Sequence, residues 1–260
     1  MTGLGAAAED PATSTRETPV STLSLTTVGA ACAIATVIAF VVGIVFMAAS
    51  GVQVLIPPTG KDGLDWIQDV DDAGGTFFLG AWLLILGGVL GIPALIGFYN
   101  ALRRVGSWFV LAPILSSVGL TLVTLSHLIP IAMAYELVPG YTAADVATKS
   151  SLATTADTFA VLALVVNYTG DVVLWGVVVP MYAVAILKTS VVPRWIGWLG
   201  VGVGVFAGLG DALSPASSVI EGLTFIGFVA FFVWTAALGM ALLRGGRQAA
   251  PPTSATTPAA

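Results

Sequence analysis

The chain has 260 residues, of which 57% are hydrophobic and only 9% are charged, and its mean hydropathy is +0.98. Soluble domains carry about 25% charged residues, so this chain has too little charge to cover a soluble domain of its size. Its net charge of −5 argues against nucleic acid as a partner, and its single cysteine, Cys32, allows no disulfide within the sequence. The composition therefore indicates an integral membrane protein.

The first 26 residues are rich in Ala, Thr, Ser and Pro, and their charged residues are mostly acidic. A cleavable signal peptide needs a basic start followed directly by an apolar core, so this segment has the wrong order and the wrong charge. We expect residues 1–26 to form a disordered cytoplasmic tail and residues 245–260 to form another. Residues 27–244 between them are expected to form one membrane domain.

Six apolar stretches are long enough, or nearly so, to cross a hydrocarbon core of ~30 Å, which takes ~20 helical residues. Because these stretches are continuously apolar rather than alternating, they predict helices and not a barrel. They cover Val28–Ala49, Thr76–Tyr99, Trp108–Tyr135, Thr158–Leu187, Trp195–Gly210 and Gly222–Leu243. The predicted fold is all-α: a polytopic bundle of six transmembrane helices.

The basic residues predict the orientation of this bundle. Seven of the nine Lys and Arg residues lie on one side of the predicted spans, and only Lys61 and Lys149 lie on the other. The side with more positive charge is normally cytoplasmic, which puts both termini inside (N-in/C-in) and makes this a multi-pass protein of the cell membrane. The outer loops after the first and third spans are predicted to have roughly twenty residues or more, either for recognition or as simple solvated connections.

The first outer loop, KDGLDWIQDVDDAGG, is strongly acidic. Its spacing does not fit a calcium-binding helix–loop–helix, which needs glycine at the sixth position and a terminal glutamate. The letters DVDD resemble the Asp-x-Asp-Asp acid motif of class II terpene cyclases, although those are much larger helical enzymes. A solvated acidic face, or loose binding of divalent cations, is the favoured interpretation.

Polar side chains also lie deep in the fourth span. Asp171 follows Asp157 by 14 residues, or ~21 Å along a helix, which puts its costly carboxyl group near the middle of the membrane. Helical spacing predicts that Asp157, Tyr168, Asp171, Trp175 and Tyr182 form one broad stripe that faces the interior of the bundle.

The third span offers a companion for Asp171. It contains His127, the only histidine in the chain, and has Glu136 at its outer end. Because the third and fourth spans are consecutive and antiparallel, His127 and Asp171 are candidate neighbours. The candidate intramembrane polar site therefore consists of Asp171, His127, Tyr168, Trp175, Asp157 and Glu136.

Two interpretations of Asp171 remain open. In the first, the carboxyl group is neutral or hydrogen-bonded and ties its helix to a neighbouring Thr, His or backbone carbonyl, because burial disfavours the charged form. In the second, Asp171 is an acid or base in a pocket open to the outside, with His127 as its proton partner. A single histidine and a single cysteine argue against a zinc site, and the sequence predicts no metal and no cofactor.

The fifth span has Gly200, Gly204 and Gly208 at four-residue spacing. On a helix these glycines share one face, which lets a neighbouring backbone approach closely. A dinucleotide-binding loop is rejected, because that motif needs a preceding strand and a polar context. Such a face packs either within one bundle or between two, so the oligomeric state stays open.

The segment DVVLWGVVVPMYAVAILKTSVVPRWIGWLGVGVGVFAGLGDAL combines a helix ending in a basic residue, a turn with Pro193 and Arg194, a glycine-rich helix and an acid at its outer end. It resembles the bacterial six-helix integral-membrane family catalogued as domain of unknown function 4386. The likeness is clearest from Asp171 to Leu213 and extends from about Val28 to Leu243. The resemblance implies the six-helix topology and assigns no catalytic or ligand-binding residue.

The leading functional hypothesis is a protein that binds or handles a hydrophobic or lipid-like small molecule in an outward-opening intramembrane cavity, with membrane lipid as its other partner. The cavity would be lined by Asp171, His127, Tyr168 and Trp175. One alternative is a membrane-embedded enzyme of isoprenoid or lipid acid–base chemistry, which requires acids that converge on one cavity. The others are a small proton-coupled transporter, which needs a continuous polar route inward, and a purely structural role.

Overall fold

The computed structural model describes residues 24–52, 63–213 and 218–248. The first helix begins at Leu25 and the last ends at Gln248. The predicted disordered tails therefore lie outside the described residues, apart from the few residues of each that belong to these helix ends.

The described part of the chain is almost entirely helical. Its helices are α1 (Leu25–Ser50), α2 (Gly63–Ala73), α3 (Gly75–Leu102), α4 (Leu111–Thr142), α5 (Val146–Asp171), α6 (Val179–Thr189), α7 (Arg194–Val203), α8 (Gly210–Leu213) and α9 (Ser218–Gln248). Two π-helical segments, π1 (Val172–Val178) and π2 (Gly204–Leu209), join α5 to α6 and α7 to α8. Two 3₁₀ turns, Arg103–Val105 and Ser107–Val110, connect α3 to α4.

Six helical units in the described ranges are long and apolar enough to cross a membrane. They are α1, α3, α4, the continuous rod α5–π1–α6, the rod α7–π2–α8, and α9. The predicted all-α bundle of six spans is therefore confirmed. The side of the membrane that the termini face stays a prediction from the basic residues.

The third and fourth spans are longer than predicted, and the loop between them is much shorter. Only residues 143–145 separate α4 from α5, so the prediction of a long second outer loop was wrong. The Ser/Thr-rich stretch before Thr158 was expected to belong to this loop, but it is helical. The hydroxyl groups of Thr154, Thr155 and Thr158 donate to carbonyls four residues earlier in α5. These hydroxyl groups are therefore satisfied within α5, which continues through polar sequence beyond the apolar core.

The acidic first loop contains the amphipathic helix α2. Trp66, Ile67 and Val70 are buried on one side of it, against α4 and α5, while Asp71 and Asp72 are exposed. The remaining acids of this loop are Asp65, which is exposed, Asp69, which is half-buried, and Asp62, which lies outside the described residues.

Polar contacts also hold α2 on the bundle. The Gln68 side-chain amide donates to the Tyr141 hydroxyl at 2.5 Å, and the Lys149 ammonium lies 4.5 Å from the centroid of the Tyr141 ring. The acidic residues are thus carried by a docked helix and not by an extended loop.

An aromatic cluster fills the bundle towards the turn that joins α3 to α4. The rings of Phe98, Phe109, Tyr182 and Trp234 lie 5.2–6.4 Å apart between centroids. All four side chains are fully buried, and the Tyr182 hydroxyl donates to the Leu95 carbonyl at 2.7 Å. This cluster closes one side of the bundle, and the space beyond it is the site described next.

Candidate functional site

A cavity of about 390 Å³ lies inside the bundle and is lined from α1, α3, α4, α5, π1, α8 and α9. Most of its wall is aliphatic or aromatic, and the aromatic part is concentrated on α9 and π1. These aromatic residues are Trp175, Phe225, Phe228, Phe231 and Phe232. Polar side chains are therefore a minority of the lining.

A hydrogen-bonded group at the cavity includes Asn167 and Asp171 on α5, which line it, and Ser126 on α4, which bonds to Asn167. The Asn167 amide nitrogen donates to the Asp171 carboxyl at 2.5 Å, and the Ser126 hydroxyl donates to the Asn167 amide oxygen at 3.0 Å. All three residues are buried. Since both ends of the Asn167 amide are used, it connects Ser126 on one helix to Asp171 on the other.

His127 belongs to the same group. Its Nδ1 lies 2.6 Å from the Val123 carbonyl oxygen and 3.3 Å from the Ser126 hydroxyl. A carbonyl only accepts, so Nδ1 carries the proton of this bond, and Nε2 is an acceptor when the ring is neutral. His127 and Asp171 both line the cavity, and Ser126 and Asn167 connect their two helices.

A second buried acid, Asp211, lines the cavity opposite these residues. It lies in α8, directly after π2, and is 7% exposed, compared with 5% for Asp171. The two carboxyl groups are close enough to interact electrostatically. The sequence identified Asp211 only as an acid at the end of the glycine-rich helix, and the predicted site did not include it. The feature that could have identified it is an acid directly after a long glycine-rich apolar run.

The segment π1 explains how Asp171 and Trp175 reach the cavity while later residues of the same rod do not. It begins directly after Asp171, and the Val179 N–H donates to the Leu174 carbonyl, five residues earlier. Pro180 follows, and its ring has no N–H to continue the regular pattern. The wider π turn changes the register, so Tyr182 joins the aromatic cluster instead of the cavity.

The structure brings four of the six predicted site residues together. These are Asp171, His127, Tyr168 and Trp175, which all line the cavity. Asp157 is exposed, and the stripe that was expected to carry it inward is corrected here. The buried face of α5 consists of Ala156, Ala160, Ala163 and Asn167. Asp157 is one residue after Ala156, so the helix rotates it by about 100° from this face.

Glu136 is exposed and lies away from the main cavity. It lines a separate, otherwise apolar groove of about 300 Å³ between α4 and α5, with Phe159 and Leu162 among its neighbours. Among the residues whose positions are described, no three His, Cys, Asp or Glu side chains are grouped closely enough to hold a metal ion.

The glycine face of the fifth span lies inside the bundle. Gly200, Gly204 and Gly208 pack against Trp234, Pro180 and Gly176, respectively. The last of these contacts joins π2 to π1 backbone to backbone. The rods α5–π1–α6 and α7–π2–α8 therefore cross next to the cavity. Gly176 lies about one turn after Asp171, and Gly208 lies about one turn before Asp211.

A family model described as Domain of unknown function (DUF4386) matches residues 25–246. The match covers most of the chain, so the chain belongs to this family, as the resemblance predicted. No curated protein and no solved structure matches the chain. Family membership agrees with the six-span fold and leaves the chemistry of the cavity to be argued from its residues.

Proposed function

We propose that this integral membrane protein binds a hydrophobic or lipid-like small molecule in its central cavity, with the polar group of that molecule held at Asp171. One observation carries the proposal: Asp171, Asn167 and His127 line a cavity whose wall is mostly apolar and aromatic, and Ser126 is hydrogen-bonded to Asn167. Small-molecule sites typically combine apolar walls with a few convergent polar groups.

The size of the cavity supports the same conclusion. Its volume of about 390 Å³ falls in the usual range of ligand sites, ~300–1,000 Å³. Lipid tails are as apolar as the cavity wall, so a hydrocarbon gains little from the hydrophobic effect when it moves from the bilayer into the protein. Selective binding must then come from shape and from the polar wall, which is where Asp171 lies.

Access from the outer side is part of the proposal. The cavity lining includes Ile44 near the end of α1 and Thr224 and Phe225 near the start of α9. These residues lie towards the helix ends that the basic residues predict to be outside. The opposite side is filled by the aromatic cluster of Phe98 and Tyr182, so we expect a ligand to enter from the outer leaflet.

The test is mass spectrometry of small molecules that copurify with the protein in mild detergent. The Asp171→Asn variant removes the ionisable carboxyl group at the cavity, and Asp157→Asn makes the same chemical change on the exposed side of the same helix. We expect a defined compound with the wild type and with Asp157→Asn that is lost with Asp171→Asn. The same bulk lipid in all three samples would refute the proposal and leave Asp171 as a structural residue.

A membrane-embedded enzyme of isoprenoid or lipid acid–base chemistry is a second candidate, because Asp171 and Asp211 both line one cavity. The acids of α2 and Glu136 are not in this lining, so an enzyme would depend on the two aspartates alone. Incubation with the isoprenoid alcohols farnesol and geranylgeraniol, followed by product analysis, tests it. Turnover that disappears in both Asp171→Asn and Asp211→Asn supports an enzyme, and unchanged substrate counts against it.

A proton-coupled transporter receives less support. It would need polar groups that continue from the cavity to the inner side, and the described residues there include the fully buried rings of Phe98, Tyr182 and Trp234. Proton uptake into protein-containing liposomes is the measurement that would reverse this preference.

A further inference from the structure

The charges on the cavity wall indicate a narrower class of ligand than a hydrophobic molecule in general. Asp171 comes from the fourth span and Asp211 from the fifth, and both carboxyl groups are more than nine-tenths buried. Of the described side chains that line the cavity, none is a lysine or an arginine. The cavity thus brings two buried carboxyl groups together, and a cation bound there would stabilise their ionised form.

Aromatic rings form another part of the cavity lining. Trp175 and Phe228 lie 5.6 Å apart between ring centroids, and Phe228 and Phe232 lie 4.6 Å apart. The face of an aromatic ring carries partial negative charge and attracts cations, and quaternary ammonium ligands are commonly bound in this way. The lining therefore combines two kinds of group that bind cations, carboxyl groups and aromatic rings.

Other head groups fit less well. A phosphate or carboxylate would find no basic partner among the described lining residues, and an ionised aspartate would repel it. A pure hydrocarbon offers the carboxyl groups neither a positive charge nor a donor. A positively charged head attracts ionised carboxyl groups and contacts aromatic rings in the same cavity, and Nε2 of His127 can accept from any N–H that the head carries.

We propose that the cavity takes a lipophilic cation, an amphiphile whose ammonium head lies between Asp171 and Asp211 and whose hydrocarbon tail lies along the phenylalanines of α9. This inference rests on the proposed function, because it names the ligand class of the same cavity. It goes further in predicting that the sign of the head-group charge decides binding.

The experiment uses the full chain in lipid nanodiscs and radiolabelled dodecyltrimethylammonium below its micellar concentration. Unlabelled n-dodecanol and dodecyl sulfate, which have the same tail with a neutral and an anionic head, serve as competitors. The wild type is compared with Asp171→Asn, Asp211→Asn and the matched surface control Asp157→Asn, and empty nanodiscs define the lipid background. The wild-type competition needs no variant, so it decides the question even if a variant fails to fold.

We expect saturable binding of the cation to the wild type and to Asp157→Asn. The Kd should rise about tenfold in Asp171→Asn, because the variant removes one charge–charge attraction between the ammonium head and a carboxylate, and it should also rise in Asp211→Asn. Neither the alcohol nor the sulfate should displace the cation.

Two results would overturn the inference in different ways. If dodecanol displaces the cation with equal or better affinity, the cavity binds hydrophobic molecules without regard to charge, and only the cation preference fails. If no probe binds above the empty nanodiscs, the cation inference fails, and the proposed function then depends on the copurification experiment alone.

Discussion

The substitution Gly208→Ala tests the crossing that holds the two buried aspartates at one cavity. A Cβ on Gly208 would overlap the Cα of Gly176, and it would lie 2.5 Å from the Gly176 nitrogen and 2.9 Å from the Trp175 carbonyl carbon. All of these atoms are backbone, so no flexible side chain can move out of the way. The rods α5–π1–α6 and α7–π2–α8 must separate to accept the methyl group.

The size of the effect follows from two opposing terms. Overpacking of a well-filled interior typically costs ~1–3 kcal/mol, while alanine gains up to ~1 kcal/mol over glycine in helix propensity. We therefore expect Gly208→Ala to lower the free energy of unfolding by about 1–2 kcal/mol. Gly202→Ala is the matched control in the same span, because a Cβ there meets no atom within 4 Å. It should be neutral or stabilising by up to ~1 kcal/mol.

The assay is reversible unfolding by sodium dodecyl sulfate in mixed micelles, followed by far-ultraviolet circular dichroism, for the wild type and both variants. Gly208→Ala should unfold at a lower detergent fraction than Gly202→Ala. If the two variants are equally stable, the rods are not in backbone contact at Gly208, and the reasoning about the crossing is wrong.

Three further predictions concern hydrogen bonds. Asn167→Ala removes the bond described for the buried Asp171 carboxyl, whereas the Ser126 hydroxyl keeps the Val123 carbonyl as an acceptor. The variant should cost ~1–3 kcal/mol in the same unfolding assay, more than Asn100→Ala, which removes a partly buried bond. Tyr182→Phe removes one bond to a backbone carbonyl and should cost ~0.5–1.5 kcal/mol. At the start of α5, hydrogen bonds from Thr148 lower the pKa of the Asp145 carboxyl, so its capping stabilisation is present above the usual aspartate pKa and is lost as pH falls through the lowered value. Asp145→Ala should therefore increase amide hydrogen exchange in the first turn of α5 at neutral pH, and the difference from the wild type should shrink in acid.

The number of spans was predictable from the sequence because a bilayer forces each backbone polar group to be satisfied within its own helix. The ends of the spans were not, because hydropathy measures the apolar core and not the helix. The helix α5 continues outside that core, where the hydroxyl groups of Thr154 and Thr158 donate to backbone carbonyls of the same helix. The helix α2 was not predicted, because its many acidic residues indicated a solvated loop. Trp66, Ile67 and Val70 nevertheless follow the spacing of one helical face.

Part of the candidate site was predictable from the depth of its residues in the predicted spans. Asp171 and His127 attract notice because charged and titratable residues are rare inside apolar spans. Asn167 is uncharged, so its depth alone did not distinguish it. Asp211 lay just past the predicted end of the fifth span at Gly210, whereas the observed span continues to Leu213 and brings this acid inside. A π-helical segment leaves no clear signal in hydropathy, so the register changes at π1 and π2 were not foreseen.

The structure also bears on why Asp171 is present at all. If Asp171 only tied two helices together, its hydrogen-bond partner should come from another helix, yet the bond described for it is to Asn167, four residues earlier in α5. The tie to α4 is made by Asn167 through Ser126, and that bond does not require the carboxyl group.

Asp171 is the last residue of α5 before π1, and Asp211 is the second residue after π2; the two segments meet where Gly176 touches Gly208. π-Helical segments are rare and are found frequently at functional sites. Two such segments that meet beside one cavity set the position of each acid relative to this contact, and so relative to the other acid. This placement supports the proposal of one ligand held at both carboxyl groups, which requires that Asp171→Asn and Asp211→Asn both weaken binding.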